Sequence, residues 1–299
     1  MKEKELIKEI IPFLKQGKDI AVGPGDDCAA IDCGLDKLLL IAADQTVAGI
    51  HYDPFSTSPG RIARKLLKRN VSDIAAMGGT PSYAVLTMAS GAKDRKFYLD
   101  FFRELGEEAE KWNVSVCGGD ISSNNKGNAV FTLTIAGWVE KNKICLRSNA
   151  RPDDLLYATG VFGNSYKSEH HLDFIPRVQE AGFLAGKFTN TMIDVSDGIL
   201  SDCMQLADAS GLGIVLNLKN IPLRDGAAMP SALSDGEDYE LLFAVSPEQS
   251  EELEGLWPFK DVNLSRIGSF TAANKGKIFD TDGNDLGVEP KTGYDHFNE

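Results

Sequence analysis

The sequence predicts an α/β or α+β protein built in two halves, and three observations carry that reading. Short apolar runs of strand character recur along the chain, amphipathic helical patterns are interleaved with them, and a polar, proline-containing stretch divides the chain near its middle. The length of 299 residues, set against roughly 150 per domain, allows one large domain or two ordinary ones. A content of 42% hydrophobic and 25% charged residues is that of a globular protein with a sizeable core.

The elements follow in order. In the opening MKEKELIKEIIPFLKQG, charges interrupt the spacing of Leu6, Ile7, Ile10, Ile11 and Leu14, which predicts an amphipathic helix rather than a secretory leader. Residues 38–43 form an apolar run that reads as a strand. From 59 to 77 the positions Ile62, Leu66, Leu67, Val71 and Ile74 keep helical spacing until Gly78, Gly79 and Pro81 end it. Phe97, Phe101, Leu105 and Ala109 mark a second helix, and 114–117 a strand running into Gly118-Gly119-Asp120. Phe131, Leu133 and Ile135 alternate with Thr132 and Thr134, the period of a half-buried strand. The stretch 149–154 is polar and contains Pro152, and 155–159 opens a new strand, so the halves divide as 1–148 and 149–299. The tetrapeptides VSDI at 71–74 and VSDG at 195–198 echo each other but are too short to establish a duplication.

Charge and cysteine content exclude several classes of function. Thirty-one Lys and Arg against 44 Asp and Glu give a formal charge of −13, which leaves no broad footprint for nucleic acid or anionic lipid. An anionic substrate would need local cations. Five cysteines, Cys28, Cys33, Cys117, Cys145 and Cys203, form no C-x-x-C pair and leave an odd one over, the usage of a reducing cytoplasm. No apolar run approaches the roughly 20 residues of a membrane span, so a soluble protein is expected.

The informative residues are acidic and stand where strands end or helices begin: Asp26-Asp27, Asp44, Asp120, Asp194 and Asp197. Ligands of α/β proteins bind outside strand ends. Singly, each has an ordinary explanation: Asp197 could cap a helix starting at Gly198, and Asp26-Asp27 could close a turn. Asp73 falls on the apolar stripe of Ile62 and Leu66, and a carboxylate aimed at a core must be paired, hydrogen-bonded or metal-bound. An early helix end would instead leave it in a solvated turn. Hard oxygen ligands without a His or Cys constellation favour Mg²⁺ or Ca²⁺ over zinc. His51 stands alone, and His170-His171 reads as a solvated loop. The stretch 182–188 lacks Walker spacing, and Gly23-Pro24-Gly25-Asp26-Asp27-Cys28 is not a dinucleotide fingerprint. A bound nucleotide is therefore expected to be held through metals rather than a phosphate loop.

Taken together, GPGDDCA at 23–29, DQTVAGIHY at 44–52, NVSDIAAMG at 70–78, GGD at 118–120, LRSNARPDD at 146–154, IDVSDGILSD at 193–202, GEDYELLF at 236–243 and GYDHF at 293–297 span nearly the whole chain. In that order they resemble thiamine-monophosphate kinase, within the superfamily of aminoimidazole-ribonucleotide synthetase. The resemblance implies a two-domain synthetase-like fold, with an N-terminal mixed sheet that forms a β-barrel across a homodimer and a C-terminal α/β sandwich domain completing the site. It implies ATP-dependent phosphorylation of thiamine monophosphate to thiamine diphosphate by direct transfer, with several Mg²⁺ ions and ATP as co-substrate. Carried over by motif, Asp27, Asp44, Asp73, Asp120, Asp194 and Asp197 would hold magnesium. Gly119, Asp120, Arg147 and Ser196 would contact ATP, and His51, Glu237 and Tyr294 the thiamine phosphate. Ordinary roles remain open for Arg147 as a surface cation, Glu237 as a turn carboxylate and Tyr294 as a packing ring.

The residue chemistry suits this mechanism. Two polyanions meeting in an acidic protein require divalent ions to neutralise and align them. The attacking phosphate oxygen is already ionised near neutral pH, so no general base is expected. Three departures from the family stand out. Ala42 and Ala43 occupy positions where the family often carries metal-binding hydroxyls, the stretch between Ser165 and Pro176-Arg177 is short, and Asn149 and Asp153 replace glycines around Arg151-Pro152. Related synthetases that need a reactive cysteine in an N-terminal arm or at the C-terminus fit poorly, whereas a Mg²⁺-nucleotide binder without turnover stays open.

Overall fold

The computed structural model describes residues 3–91, 94–124 and 128–287. After helix α1 (Glu3–Ile10), the strands β1 (Ile20–Val22), β2 (Ala29–Asp32) and β3 (Lys37–Val47) form a meander. Then come α2 (Pro59–Ala76), β4 (Thr80–Ser90), α3 (Arg95–Lys111), β5 (Ser115–Ser123) and β6 (Val130–Glu140). The second half contains β7 (Leu155–Thr159), α4 (His170–Asp173), α5 (Val178–Leu184), β8 (Met192–Asp194), α6 (Ile199–Ser210) and β9 (Gly213–Leu216). It ends with α7 (Met229–Ser234), β10 (Leu241–Val245), α8 (Pro247–Leu256), β11 (Leu264–Thr271) and β12 (Ile278–Asp280).

Each half carries one mixed six-stranded sheet. The first has the order β1-β2-β3-β6-β4-β5 and the second β12-β9-β11-β7-β10-β8. Among the described strands, β4–β5 and β9–β12 pair in parallel and the others antiparallel. The alternation read at 131–135 is realised in β6, whose Phe131, Leu133 and Ile135 face inward with Leu40 onto Ile62 and Leu66 of α2 and Phe101 and Leu105 of α3. On the opposite face of that sheet Tyr83 and Val85 of β4 are exposed. In the second sheet every residue of β7 and β10 is buried, because helices cover both faces. That is why these strands read as unbroken apolar runs.

Helix α2 belongs to both halves. Its Ser58 cap accepts a hydrogen bond from the Arg61 N–H, Pro59 suits the first turn, and Gly78 ends it at a φ of 72°. A Cβ at Gly78 would also lie 2.8 Å from the Lys143 carbonyl oxygen, so the turn needs glycine twice over. Ala75 and Ala76 pack into the second core beside Tyr157, Leu184 and Phe243, which locks the two sheets around one helix.

Several expectations change. Helix α2 runs through Ala76, so Asp73 is helical and not in a solvated turn. Strands β3 and β5 continue beyond the predicted runs, placing Asp44 and Gly118-Gly119-Asp120 inside strands rather than after them. His170-His171 is no solvated loop: it opens α4, and the buried His171 ring stacks on Tyr166 at 4.0 Å between centroids. Tyr294 lies outside the described residues.

Candidate functional site

Helix α2 packs against β3 and β6 of the first sheet and β8 of the second. Lys65, Arg69 and Asp73 are four residues apart, which places them in a row along a helix. Asp73 meets Asp27, from the turn between β1 and β2, and Asp194, at the end of β8. One carboxylate oxygen from each of the three lies within 4.8 Å of the other two. Arg147 holds Asp27 in place through Nη2–Oδ1 at 2.5 Å, and its own Nη1 donates to Gln205 Oε1 at 2.6 Å. The Ser72 hydroxyl donates to Asp194, which brings the first echoed segment against the residue that precedes the second.

These carboxylates are under electrostatic load. Burial and the like charges of Asp44, Asp194 and Asp27 push Asp73 well above the ordinary carboxylate range. Burial and Asp27 raise Asp194 to about 7, and the same two causes raise Asp26 to about 7. Protein cations do not balance the group. Three converging hard oxygen donors with unbalanced charge are the donor set that suits Mg²⁺.

Asp44 stands beside this trio. Its carboxylate Oδ2 accepts from Arg69 Nε at 3.1 Å, and Arg69 Nη1 donates to the Gln45 carbonyl at 2.9 Å. Gly119 and Asp120 lie on the exposed edge strand β5. A Cβ at Gly119 would come within 1.7 Å of the Leu86 carbonyl oxygen, so only glycine fits there. The Asp197 N–H donates to Asp202, and Gly198, not Asp197, is the cap residue of α6. The Ser196 carbonyl accepts from the Glu237 N–H at 2.8 Å, which ties the IDVSDG and GEDYE segments side by side.

Within GEDYE, successive side chains go to different partners. Glu237 accepts from the fully buried Lys65 Nζ at 2.6 Å. Asp238 pairs with Arg224 at 2.7 Å, and Glu240 is gripped by Arg177 and by the Thr159 hydroxyl. Tyr239 stacks on Phe174 at 3.9 Å between centroids. Glu237 and Tyr239 hold φ values of 54° and 52°, a left-handed backbone that costs on the order of 1–3 kcal/mol per residue. The flanking ion pairs keep the segment in that shape.

Lys65 also donates to the His51 carbonyl at 2.6 Å, so one ammonium joins His51 and Glu237, two residues far apart in sequence. The His51 ring is buried and its Nδ1 accepts from the Val47 N–H at 3.0 Å. Burial lowers Lys65 to about 8, and Glu237 opposes the fall. Tyr166 closes this end, its ring 5.6 Å from Lys65 Nζ and its hydroxyl donating to the Ile50 carbonyl.

The structure thus brings Asp27, Asp73 and Asp194 together, sets Asp44 next to them, and joins His51 to Glu237. Sequence reasoning missed Lys65, Arg69 and Tyr239. The fourfold spacing of Lys65 and Arg69 from Asp73 was the available signal.

Two family models match the chain: the N-terminal domain of AIR synthase related proteins over residues 25–139, and their C-terminal domain over 153–281. Thiamine-monophosphate kinase of Escherichia coli K12 is 32% identical over 307 residues, 93% of each chain. That of Bacillus subtilis is 31% identical over 328 residues, 99% of this chain and 100% of its own. A solved structure of AaThiL complexed with AMPPCP and TMP superposes with a TM-score of 0.84 at 27% identity, covering 99% of this chain and 97% of that one. With both domain models matched in order and full-length relatives on either side, this chain belongs to the AIR synthase related proteins and, within them, to the thiamine-monophosphate kinase family.

Proposed function

We propose that the protein transfers the γ-phosphoryl group of ATP to thiamine monophosphate, giving thiamine diphosphate directly, without a phosphoenzyme. The observation that carries this is the row on α2. A cation-seeking carboxylate trio at Asp73 and the Glu237–His51 pair around Lys65 lie on one helix face, two turns apart. A donor held by metal and an acceptor held by Glu237 and His51 would meet along it.

In this reading Asp27, Asp73 and Asp194 hold Mg²⁺, with Asp44, Asp120 and Asp197 as further ligands. Gly119, Asp120, Arg147 and Ser196 contact ATP, and His51, Glu237 and Tyr294 contact thiamine monophosphate. When bound, the ions would neutralise the phosphates and align donor with acceptor. The chain's own contribution is positioning: Arg147 fixes Asp27, Ser72 fixes Asp194, and Lys65 fixes Glu237 and the His51 loop. The acceptor phosphate has a second pKa near 6, so it arrives ionised and needs no general base.

We further propose a homodimer through the face of the first sheet on which Tyr83 and Val85 of β4 are exposed. A division at 148/149 and a cytoplasmic location complete the reading. Among the described residues no helix is long and apolar enough to cross a membrane. ADP release with thiamine monophosphate, with and without Mg²⁺, tests the proposal. Turnover that needs both supports it, and nucleotide binding without turnover contradicts it.

A further inference from the structure

Helix α6 carries a buried carboxylate that belongs neither to the trio nor to the acceptor end. Asp202 stands in its first turn and is fully buried. Its Oδ2 accepts from the Asp197 N–H at 3.1 Å, and its Oδ1 accepts from Gln205 Nε2 at 2.9 Å. Gln205 in turn offers its carbonyl oxygen to Arg147 Nη1 at 2.6 Å. The guanidinium reaches Asp27 with its other nitrogens, Nη2 to Oδ1 at 2.5 Å and Nε to Oδ2 at 3.4 Å. The Arg147 backbone is held as well: its N–H donates to Asp26 at 3.1 Å, and its carbonyl accepts from the hydroxyl of Ser210, the last residue of α6, at 2.8 Å. A continuous run of hydrogen bonds therefore crosses from the Asp197 turn in the second half to Asp27 in the first. Gln205 suits the middle of it, because a primary amide donates at one end and accepts at the other. A carboxylate there would face Asp202, and an ammonium would face Arg147. Reversing the amide would set its oxygen against a carboxylate and its NH₂ against a guanidinium, so the network admits one orientation.

We propose that Asp202 and Gln205 are positioning residues for phosphoryl transfer: the pair holds Arg147 on Asp27 and closes the Asp197 turn, so that the donor-side groups from the two halves keep one relative placement. The inference rests on the kinase reading above, and neither residue touches substrate. Carboxylates that hold an ion are oriented by the groups hydrogen-bonded behind them, and losing such a group weakens ion affinity or activity. Behind Asp27 stands Arg147, and behind Arg147 stands Gln205. The acceptor end is held separately, by Lys65 on Glu237 and on the His51 carbonyl, so a broken run should be felt on the nucleotide side.

The test is a pair of affinities measured by calorimetry on the full chain in Mg²⁺, one for the non-hydrolysable ATP analogue AMPPCP and one for thiamine monophosphate. Gln205→Met keeps the length of the side chain and removes both of its hydrogen bonds. It should weaken AMPPCP binding about 10- to 100-fold and leave thiamine monophosphate within about twofold. Asp202→Asn accepts through one oxygen only, so it can serve Asp197 or Gln205 but not both, and should weaken AMPPCP binding about 3- to 10-fold. The double variant should bind AMPPCP little worse than Gln205→Met, because links in one run fail together. Equal losses for both ligands, fully additive losses, or an unchanged AMPPCP affinity would reduce the run to a structural tie between the halves and overturn the proposal. Should Asp202→Asn fail to fold, the same split in Gln205→Met decides alone. A wild-type chain that turns over while both variants bind AMPPCP as it does refutes this inference only. A wild-type chain that releases no ADP with thiamine monophosphate refutes the kinase reading and this inference with it.

Discussion

The two ends of the α2 face solve opposite electrostatic problems. Around Asp73, carboxylates from three distant segments are pressed together, and burial with the neighbouring like charges raises the proton affinities of Asp73 and Asp194. Around Lys65, a buried ammonium is matched by Glu237, the His51 carbonyl and the Tyr166 ring. The first end is poised to gain by taking a cation from solution. The second is already neutralised and serves to hold geometry, fixing Glu237 on a left-handed backbone that its local sequence would not choose.

The largest expected effect breaks the balanced end. Lys65→Met leaves Glu237 with an uncompensated, mostly buried charge and should destabilise the fold by about 3–5 kcal/mol, read by denaturant unfolding. A double change with Glu237→Gln should recover much of that loss, because it removes the orphaned charge. At the unbalanced end, Asp44→Asn should lower turnover about 10²- to 10³-fold while sparing the fold, comparable to losing a key electrostatic group. Near wild-type activity at saturating Mg²⁺ would remove Asp44 from the transfer site.

The comparison sharpens with pH. Asp26 and Asp194 rise from the ordinary carboxylate value of 3.8 to about 7 in the folded chain. Across that window the folded state binds more protons than the unfolded one, so without metal this contribution to stability is present below about 4 and is lost as pH rises to about 7. Lys65 runs the other way. Its value falls from 10.5 to about 8, so stability is expected to rise with pH between those values. Melting temperatures in a chelator from pH 4.5 to 7.5 should fall, and a profile that instead rises would show the trio to be balanced from within. The smallest effect concerns the acceptor end. Tyr294→Ala should weaken thiamine monophosphate binding about 2- to 30-fold with little change for ATP, the range expected of cation–π contact. Equal losses for both ligands would make Tyr294 a packing ring.

Much of this architecture was legible in residue order, and the reasons are physical. The strand at 155–159 and the α2 stripe were readable because burial follows the period of each element. Asp73 stood out because a carboxylate on an apolar stripe demands a partner. The strand ends were harder. Ala43 through Val47 pairs with β6 right across Asp44, and that register depends on a partner some ninety residues away rather than on local propensity. Lys65 and Arg69 look like ordinary helix-surface cations until the fold brings Glu237, 172 residues on, against Lys65. His171 misled for the converse reason: its polar neighbours suggest solvent, but Tyr166 and the Ser165 carbonyl bury it.

The central claim, that the Asp73 end is built for an external divalent cation, is tested most directly by melting wild type and Asp73→Asn at pH 7.5 in chelator and in Mg²⁺. In chelator the variant should melt at or above wild type, because one of three repelling charges is gone. In Mg²⁺ at about 100 times its dissociation constant, wild type should gain about 2.7 kcal/mol and the variant far less, reversing the order. A wild type indifferent to Mg²⁺, or a variant less stable than wild type in chelator, would contradict the account.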